Sequence, residues 1–306
     1  MADRKLPLIY IASSGRSGST LLDMLLGAQP GIWTAGEVQM LPFELARGKS
    51  PCGCGERVAE CDFWTEVAAR CPQALASGEI GRFRDENGYG KALRWAEIRA
   101  LRTPVREVGP DRSAEYFHHG RANRELLDTV RAVAEERTGK PLSWLVDASK
   151  DVYRLSWLIR SGLFDIRVIH VLKDPRAFVY SKIRRLPRLG GWRYAPRMTL
   201  RWVVENRLLA RVYRTELPLE HALLLRYEDL AGQPERTMRM VLPWLGLVDA
   251  EPKMDFRSGN HALSGNAMRA AVGGIMLDDR WRSAMPALMR GAVGLATAME
   301  ARRYGY

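Results

Sequence analysis

Short apolar runs alternate with segments of helical periodicity along most of the chain. Four runs have the length and composition of buried β-strands, at residues 8–12, 142–146, 166–172 and 221–226. Between these runs apolar residues recur every three to four positions, as in residues 21–26, which is typical of an amphipathic helix. Alternating strands and helices predict a three-layer α/β fold, with helices on both faces of a mostly parallel central sheet.

The pattern changes in two places. Between residues 77 and 115 charged residues and glycines are frequent and apolar periodicity is weak, so we interpret residues 48–115 as a substrate-side insertion. The rest of residues 1–306 is expected to form a single domain with this insertion. Near the C terminus, an apolar stripe predicts a helix that packs into the core through Leu288, Ala292, Leu295 and Met299.

The first apolar run leads directly into a polar segment rich in glycine, serine and threonine. Gly15 and Gly18 allow the backbone to approach a ligand closely, and the helix that follows presents its free N–H groups to the same point. Such a helix N-terminus attracts anions, and Arg16 adds a planar cation suited to phosphate or sulfate. We interpret the segment as a phosphate-binding loop of Ser14, Gly15, Arg16, Ser17, Gly18, Ser19, Thr20 and Leu21. An ordinary helix cap is the alternative.

The loop differs from that of the nucleotide triphosphatases. Their motif requires a lysine after its second glycine, whereas here Gly18 is followed by Ser19. A magnesium-dependent kinase or GTPase is therefore disfavoured.

Charged residues follow three other extended segments. Lys150 and Lys173 come at the ends of two strands, and Glu37 ends a short extended segment after the first helix. In parallel sheets ligands collect at the carboxyl ends of the strands, so both lysines are expected on the same rim as Arg16. Ser181 lies about two helical turns beyond Lys173, close enough to share one phosphate with it. A solvated surface position is the alternative for Glu37 and Lys150.

Composition agrees with an anionic ligand. The chain has 47 Lys and Arg residues against 35 Asp and Glu residues, a formal net charge of +12. The basic residues are spread along the chain and form no nucleic-acid-binding motif, so no nucleic-acid partner is expected. No apolar run reaches the roughly 18 residues of a membrane-spanning helix, and the N-terminal run feeds into the loop as a strand. We expect a cytoplasmic protein without stable membrane insertion, and the oligomeric state stays open.

The four cysteines are all in one segment, at Cys52, Cys54, Cys61 and Cys71. Their spacing differs from the C-x2-C pair of common zinc sites, and without a secretion signal a disulfide framework is not expected. Reduced structural thiols are our first interpretation, with a structural zinc ion or a redox-sensitive bridge as alternatives. None of the cysteines is expected to be catalytic.

Taken together, these motifs resemble the sulfotransferases that use 3'-phosphoadenosine 5'-phosphosulfate (PAPS). The family's 5'-phosphosulfate loop is similar to residues 14–21, and its 3'-phosphate motif, a basic residue followed eight positions later by serine, is similar to Lys173 with Ser181. The branch of Golgi tyrosine and carbohydrate sulfotransferases and their bacterial relatives has a Gly-Glu after the first helix and a strand that ends in lysine. Gly36-Glu37 and Lys150 stand at those places.

The resemblance implies a role for each of these residues. Glu37 would be the catalytic base, while Lys150 and Arg16 would stabilise charge on the transferring group. Lys173 gives a point charge where the family usually has arginine, and Arg176 is expected to add to it. A C-terminal loop that covers the cofactor is similar to residues 265–269, with Asn266 and Arg269 as further cofactor contacts.

The resemblance therefore implies transfer of a sulfuryl group from PAPS to a hydroxyl of a small-molecule, carbohydrate or tyrosyl acceptor, by in-line displacement and without a required metal. The alternatives are a P-loop-type nucleotide kinase or NTPase, and a non-catalytic protein that binds anions or nucleotides. The region from Cys52 to Arg112 matches no known acceptor pocket, so the sequence leaves the acceptor open.

Overall fold

A sheet of five parallel strands forms the centre of the protein. The structure is a computed structural model that describes residues 4–48, 50–83, 112–184, 191–256, 260–263 and 274–306. The described strands have the order β2-β3-β1-β4-β5. Their bounds are β1 Leu6–Ser13, β2 Ile32–Thr34, β3 Trp144–Asp147, β4 Phe164–Leu172 and β5 Ala222–Arg226. The predicted α/β fold with a mostly parallel sheet is confirmed.

Helices follow the strands along the chain. The α-helices are α1 Ser19–Gly27, α2 Leu41–Arg47, α3 Asp62–Arg70, α4 Pro72–Ala76, α5 Ser113–Thr138, α6 Val152–Arg160, α7 Pro175–Ile183, α8 Ala195–Glu216, α9 Tyr227–Gly232, α10 Pro234–Trp244, α11 Trp281–Ala284 and α12 Ala287–Arg303. Short 3-10 helices cover Val38–Met40, Gly191–Tyr194 and Leu219–His221. The single domain of residues 1–306 and its insertion at 48–115 stay predictions, and residues 49 and 84–111 of that insertion lie outside the described ranges.

Strand β1 separates two apolar cores. Leu8 and Tyr10 belong to a core with apolar residues of α5, α6 and α8. Ile9 and Ile11, which point to the opposite face, belong to a core with α1 and α10. This alternation is the period of a strand that is buried on both faces, and it places helices on both sides of the sheet.

The register of the sheet brings the predicted strand ends together. Strand β1 pairs in parallel with β3, with Tyr10 opposite Asp147, and with β4, with Ser13 opposite Val171. From β1 the chain builds one half of the sheet with β2 and β3 and then crosses to build the other half with β4 and β5. The loop after β1 therefore lies at the point where the strand order reverses, which is where open α/β sheets bind ligands.

The apolar stripe of the C-terminal helix differs from its prediction. Leu288 and Leu295 are 88% and 84% exposed, and Met299 is also exposed. The buried face of α12 includes Val293, Thr297 and Ala301. The helix packs against α7 and α8 through this mixed face. The prediction from apolar spacing, which buried the face with Leu288 and Leu295, is therefore wrong.

Two adjacent histidines on α5 have opposite environments. His118 is exposed, while His119 is fully buried, with its Nδ1 3.0 Å from Glu79 Oε2 and its Nε2 3.3 Å from Asn123 Nδ2. A histidine pair in a polar stretch predicts a surface or capping position for both residues, and this prediction is wrong for His119. Burial lowers the pKa of His119 to about 4, although Glu79 opposes this shift.

Within the described ranges, no helix combines the length and the apolar character needed to cross a membrane.

The buried histidine predicts a pH-dependent stability. His119 is neutral in the folded protein down to pH about 4, whereas an unfolded histidine protonates near pH 6.5, so acidification through this window favours the unfolded chain. Protonation of this histidine should lower the free energy of unfolding by about 2 kcal/mol at pH 5 relative to pH 7. Between pH 7 and pH 5, the free energy of unfolding of His119→Gln, measured by urea unfolding, should fall by about 2 kcal/mol less than that of the wild type.

His118→Gln is the matched control, because this neighbouring side chain is exposed. It should keep the wild-type dependence on pH. Equal acid sensitivity in both variants would contradict the assignment to His119.

Candidate active site

The loop after β1 has an unusual backbone conformation. Gly18 adopts a left-handed φ of 92° at the start of α1, and Arg16 adopts φ 87°, which is rare for a residue with a side chain. A Cβ atom on Gly18 would lie 2.4 Å from Cδ2 of Tyr227, so the ring of this tyrosine packs directly on the loop. Left-handed backbone at non-glycine residues costs on the order of 1–3 kcal/mol and is concentrated at functional sites.

Hydrogen bonds anchor the loop to the sheet. Ser14 Oγ donates to Asn206 Oδ1 at 3.4 Å, and the same amide oxygen lies 3.1 Å from His170 Nε2 on β4. Asn206 is buried beneath the loop. Ser17 Oγ is also buried and has no hydrogen-bond partner among the described residues. A buried hydroxyl of this kind fits a loop that binds the oxygens of an anion.

Glu37 and Lys150 form an ion pair on the rim of the sheet. Lys150 Nζ donates to Glu37 Oε1 at 2.5 Å, and both side chains are mostly shielded from solvent. Glu37 and Lys150 each lie three residues beyond the ends of β2 and β3, two strands whose pairing places Thr34 opposite Val146. The structure therefore joins the predicted carboxylate to the predicted strand-end lysine.

Glycine is required beside the carboxylate. Gly36 has φ 68°, and a Cβ atom there would lie 2.3 Å from the carbonyl oxygen of Leu263. The close approach lets Glu37 N–H donate to Leu263 O at 2.9 Å, and Leu263 N–H donate to Ala35 O at 3.1 Å. Residues 260–263 thus hold the backbone of Glu37 from the side opposite β3.

Lys150 is held by a turn in which its own backbone is left-handed, with φ 66°. Before it, Asp147 accepts from Ser149 N–H at 2.9 Å and pairs with the fully buried Arg154 at 2.8 Å. After it, Asp151 caps helix α6. These contacts fix the turn from which Lys150 reaches Glu37. Among the described non-glycine residues, Arg16 and Lys150 have positive φ.

Lys173 is a buried cation next to the loop. It is 4% exposed, and its Nζ lies 4.1 Å from the centre of the Tyr227 ring. Burial lowers the pKa of Lys173, while Asp278 and Glu228 oppose that shift and Arg16 reinforces it. Tyr227 thus contacts both Lys173 and the loop, which places this lysine beside the start of α1.

The other residues predicted to bind the cofactor near Lys173 have different environments. Ser181 is buried on α7, the helix that follows β4 and Lys173. Arg176 forms an ion pair with Asp174 at 2.6 Å and stacks on Trp281 at 4.6 Å from the ring centre. The guanidinium of Arg176 is therefore engaged by its own neighbours. Asn266 and Arg269 lie outside the described residues.

Sequence reasoning missed Lys182. Its Nζ would be 3.5 Å from a Cβ atom on Gly15, so this lysine lies over the loop. Burial lowers the pKa of Lys182 to about 8, and the cations Arg201, Arg16 and Lys150 contribute. Lys182 directly follows Ser181 in the sequence. This position next to a predicted site residue could have identified Lys182 from the sequence.

The site therefore combines a helix N-terminus, a buried hydroxyl, several partly desolvated cations and the carboxylate of Glu37. A cluster of cations at a helix N-terminus binds phosphate or sulfate groups, and the energetic cost of their mutual repulsion falls when an anion is bound. The carboxylate is suited to accept a proton from a group that reacts beside the anion.

Comparisons with known proteins identify sulfotransferases as relatives of this chain. A model described as the sulfotransferase family matches residues 7–251. Carbohydrate sulfotransferase 2 of Homo sapiens is 26% identical over 179 aligned residues, which cover 44% of this chain and 34% of that protein. The protein of the same name from Mus musculus gives the same identity and coverage. The chain thus spans 34% of the length of these relatives.

Two solved structures share the fold over nearly the whole chain. The sulfotransferase domain from the Synechococcus PCC 7002 olefin synthase has a TM-score of 0.56 at 22% identity, covering 99% of this chain and 97% of that chain. The sulfotransferase domain from the curacin biosynthetic pathway has a TM-score of 0.55 at 18% identity, covering 97% of this chain and 98% of that chain. At these identities the likeness concerns the fold.

Lys182 predicts how anion binding responds to pH. The protonated lysine favours an anion at the loop, and its charge is lost as the pH rises through about 8. The affinity for 3',5'-bisphosphoadenosine should therefore fall up to about tenfold from pH 7 to pH 9. Lys182→Arg keeps a charge over this range and should flatten the dependence, as measured by calorimetry. An identical pH dependence in wild type and variant would rule out Lys182 as the cause.

Proposed function

The chain belongs to the sulfotransferase family, and from that premise we propose that it transfers the sulfuryl group of PAPS to a hydroxyl of a small-molecule, carbohydrate or tyrosyl acceptor. The observation that carries the proposal is the ion pair between Glu37 and Lys150 on the same rim as the anion loop. The pair brings a proton acceptor and a cation to one point, beside the place where the donor's 5'-phosphosulfate would be bound.

The loop is proposed to bind the 5'-phosphosulfate. The N-terminus of α1, Arg16 and the buried hydroxyl of Ser17 supply donors there, and Lys182 adds a cation above Gly15. These features fit the group, because the loop offers donors without placing a carboxylate of its own against the anion. PAPS supplies an activated sulfuryl group whose leaving group is a phosphate.

Lys173 and Ser181 are proposed to bind the 3'-phosphate. The lysine is buried beside Tyr227 and Asp278, and a 3'-phosphate would offset the cost of burying its charge. Arg176 is a weaker candidate, since Asp174 already pairs with its guanidinium. Asn266 and Arg269 stay proposals from the resemblance.

Glu37 is proposed to act as the general base. It takes the proton from the acceptor hydroxyl while the acceptor oxygen forms its bond to sulfur and the bond from sulfur to the 5'-phosphate oxygen breaks, which releases 3',5'-bisphosphoadenosine. Lys150 has three N–H donors, so it can hold Glu37 and contact a sulfuryl oxygen at the same time. Catalysis then depends on positioning and charge stabilisation, and this route needs no metal ion.

Two other functions remain as competitors. A P-loop-type kinase or NTPase lacks support because the loop has Ser19 where lysine is required. A non-catalytic binder of anions or nucleotides would not need the carboxylate beside the loop. Incubation of the purified protein with labelled PAPS and a panel of phenols, sugars and peptides decides among the three. Turnover of ATP with magnesium, or binding of PAPS without transfer to any acceptor, would favour a competitor.

Replacement of the proposed base should separate binding from turnover. Glu37→Gln keeps the shape of the side chain and removes the proton acceptor, and a positioned base contributes about 10²- to 10⁴-fold to such a step. Sulfuryl transfer should therefore fall by about two or more decades. Calorimetry should show nearly unchanged binding of 3',5'-bisphosphoadenosine.

His118→Ala is the control for the glutamine variant, because a histidine side chain can act as a base and His118 is exposed on α5. It should retain turnover within a few-fold. Wild-type turnover in Glu37→Gln would show that another residue accepts the proton.

The 3'-phosphate is expected to supply much of the cofactor affinity. Because charge-assisted hydrogen bonds are the strong ones, 3',5'-bisphosphoadenosine should bind far more tightly than AMP. Lys173→Met should reduce that difference and leave AMP binding similar, as measured by calorimetry. If the two nucleotides bind wild type equally, Lys173 and Ser181 do not bind the 3'-phosphate.

A further inference from the structure

Three thiols and one imidazole meet away from the proposed active site. Cys52, Cys54, Cys61 and His261 each contribute one ligand atom, and these four atoms all lie within 4.8 Å of one another. All three cysteines are free thiols. The sequence places the histidine about 200 residues after the cysteines, so only the fold brings the four groups together.

Three of the distances between the ligand atoms are close to the edges of a tetrahedral metal site. Cys54 Sγ and Cys61 Sγ are 3.7 Å apart, while Nδ1 of His261 lies 3.2 Å from Cys61 Sγ and 3.8 Å from Cys52 Sγ. Tetrahedral zinc, with bonds of about 2.3 Å to sulfur and 2.0–2.1 Å to nitrogen, requires S···S separations of about 3.8 Å and S···N separations of about 3.6 Å. Three thiolates and an imidazole form one of the common ligand sets of structural zinc.

The backbone presents the first two thiols in a tight turn. Gly55 N–H donates to Cys52 O at 3.0 Å, and Cys52 N–H donates to Glu56 O at 2.7 Å. Gly55 has φ 99°, and a Cβ atom on Gly53 would lie 2.0 Å from Asn260 Oδ1, so both glycines are needed where they stand. The turn therefore aligns Cys52 and Cys54 while it presses against the segment that carries the histidine.

His261 is fixed by its surroundings. Trp64 Nε1 donates to His261 O at 2.6 Å, and the imidazole stacks on Phe63 with the ring centres 4.9 Å apart. Gly53 N–H donates to Ala262 O at 3.1 Å. Supporting contacts of this kind orient the ligands of a metal site, and the exposed Cys54 leaves the position accessible to an ion from solvent.

The histidine segment continues directly to the carboxylate of the rim. Two residues after His261, Leu263 N–H donates to Ala35 O and Leu263 O accepts from Glu37 N–H. A metal ion held by the cysteines and His261 would therefore anchor the strand of backbone that positions Glu37. A single disulfide would use two of the thiols and leave the imidazole without a role.

We propose that Cys52, Cys54, Cys61 and His261 bind a structural zinc ion that fixes residues 260–263 against Gly36 and Glu37. The zinc site stands on the ligand geometry alone, whereas its effect on turnover rests on the proposed function of Glu37.

The first test is made on the full wild-type chain without an affinity tag. Elemental analysis should find about one zinc ion per chain, and X-ray absorption should give three sulfur ligands at about 2.3 Å and one nitrogen at about 2.0–2.1 Å. Absence of zinc, with no uptake of added zinc by protein treated with EDTA under reducing conditions, would overturn the proposal. A Cys54–Cys61 disulfide in freshly purified protein, or coordination by nitrogen and oxygen only, would do the same.

The second test uses one ligand and one matched control. Cys54→Ser removes the exposed ligand and should lower the zinc content several-fold. Cys71→Ser changes the cysteine outside the cluster, whose thiol donates to Val67 O, and should keep full zinc content. Full zinc content in Cys54→Ser, or equal loss in both variants, contradicts the ligand assignment. If Cys54→Ser does not fold, X-ray absorption on the wild type decides the coordination.

The third test separates the metal site from the active site. Removal of zinc should lower sulfuryl transfer several-fold while binding of 3',5'-bisphosphoadenosine changes little, and added zinc should restore turnover. Full turnover after removal of the metal would show that zinc does not support Glu37. If no acceptor is sulfated at all, the proposed function fails, but the zinc content and the ligand distances still decide the metal site.

Discussion

The pairing of β1 with β3 on one side and β4 on the other is the constraint on which the site depends. Because all three strands run parallel, their carboxyl ends open on one rim, with the loop at the centre and a lysine on each side. Strand β1 is buried on both faces, so a shift of its register by one residue would move each apolar side chain to the opposite core. The apolar cores thus fix the position of the anion loop.

The rim concentrates positive charge and backbone strain, and the surrounding structure supports both. Arg16 and Lys150 have left-handed backbone, and Lys173 and Lys182 are lysines whose pKa values are lowered by burial. The ring of Tyr227 packs against the loop and under Lys173. An anion that binds the folded site stabilises the folded state by mass action, so strain and repulsion at the rim are offset when the site is filled.

Residues 260–263 connect two regions that are far apart in the chain. They lie against Gly53 in the cysteine turn and against Gly36 beside the carboxylate, and both glycines leave no room for a side chain. The segment that holds the cysteines is therefore linked through residues 260–263 to the backbone of Glu37.

The sequence alone determined the features that depend on local order. The apolar runs and the loop after the first strand follow from periodicity. The positions of Arg16, Lys150 and Lys173 on one rim follow from the parallel order of the strands that precede them. Tertiary packing decided what depends on how helices rotate and where distant segments meet. The rotation of α7 placed Lys182 over the loop, and that of α12 exposed Leu295 although its spacing resembled a core stripe.

The meeting of His261 with the cysteines could not be predicted, because no local pattern encodes a contact across about 200 residues. Such contacts are fixed only when the cores have formed and the close approaches at Gly36 and Gly53 become possible.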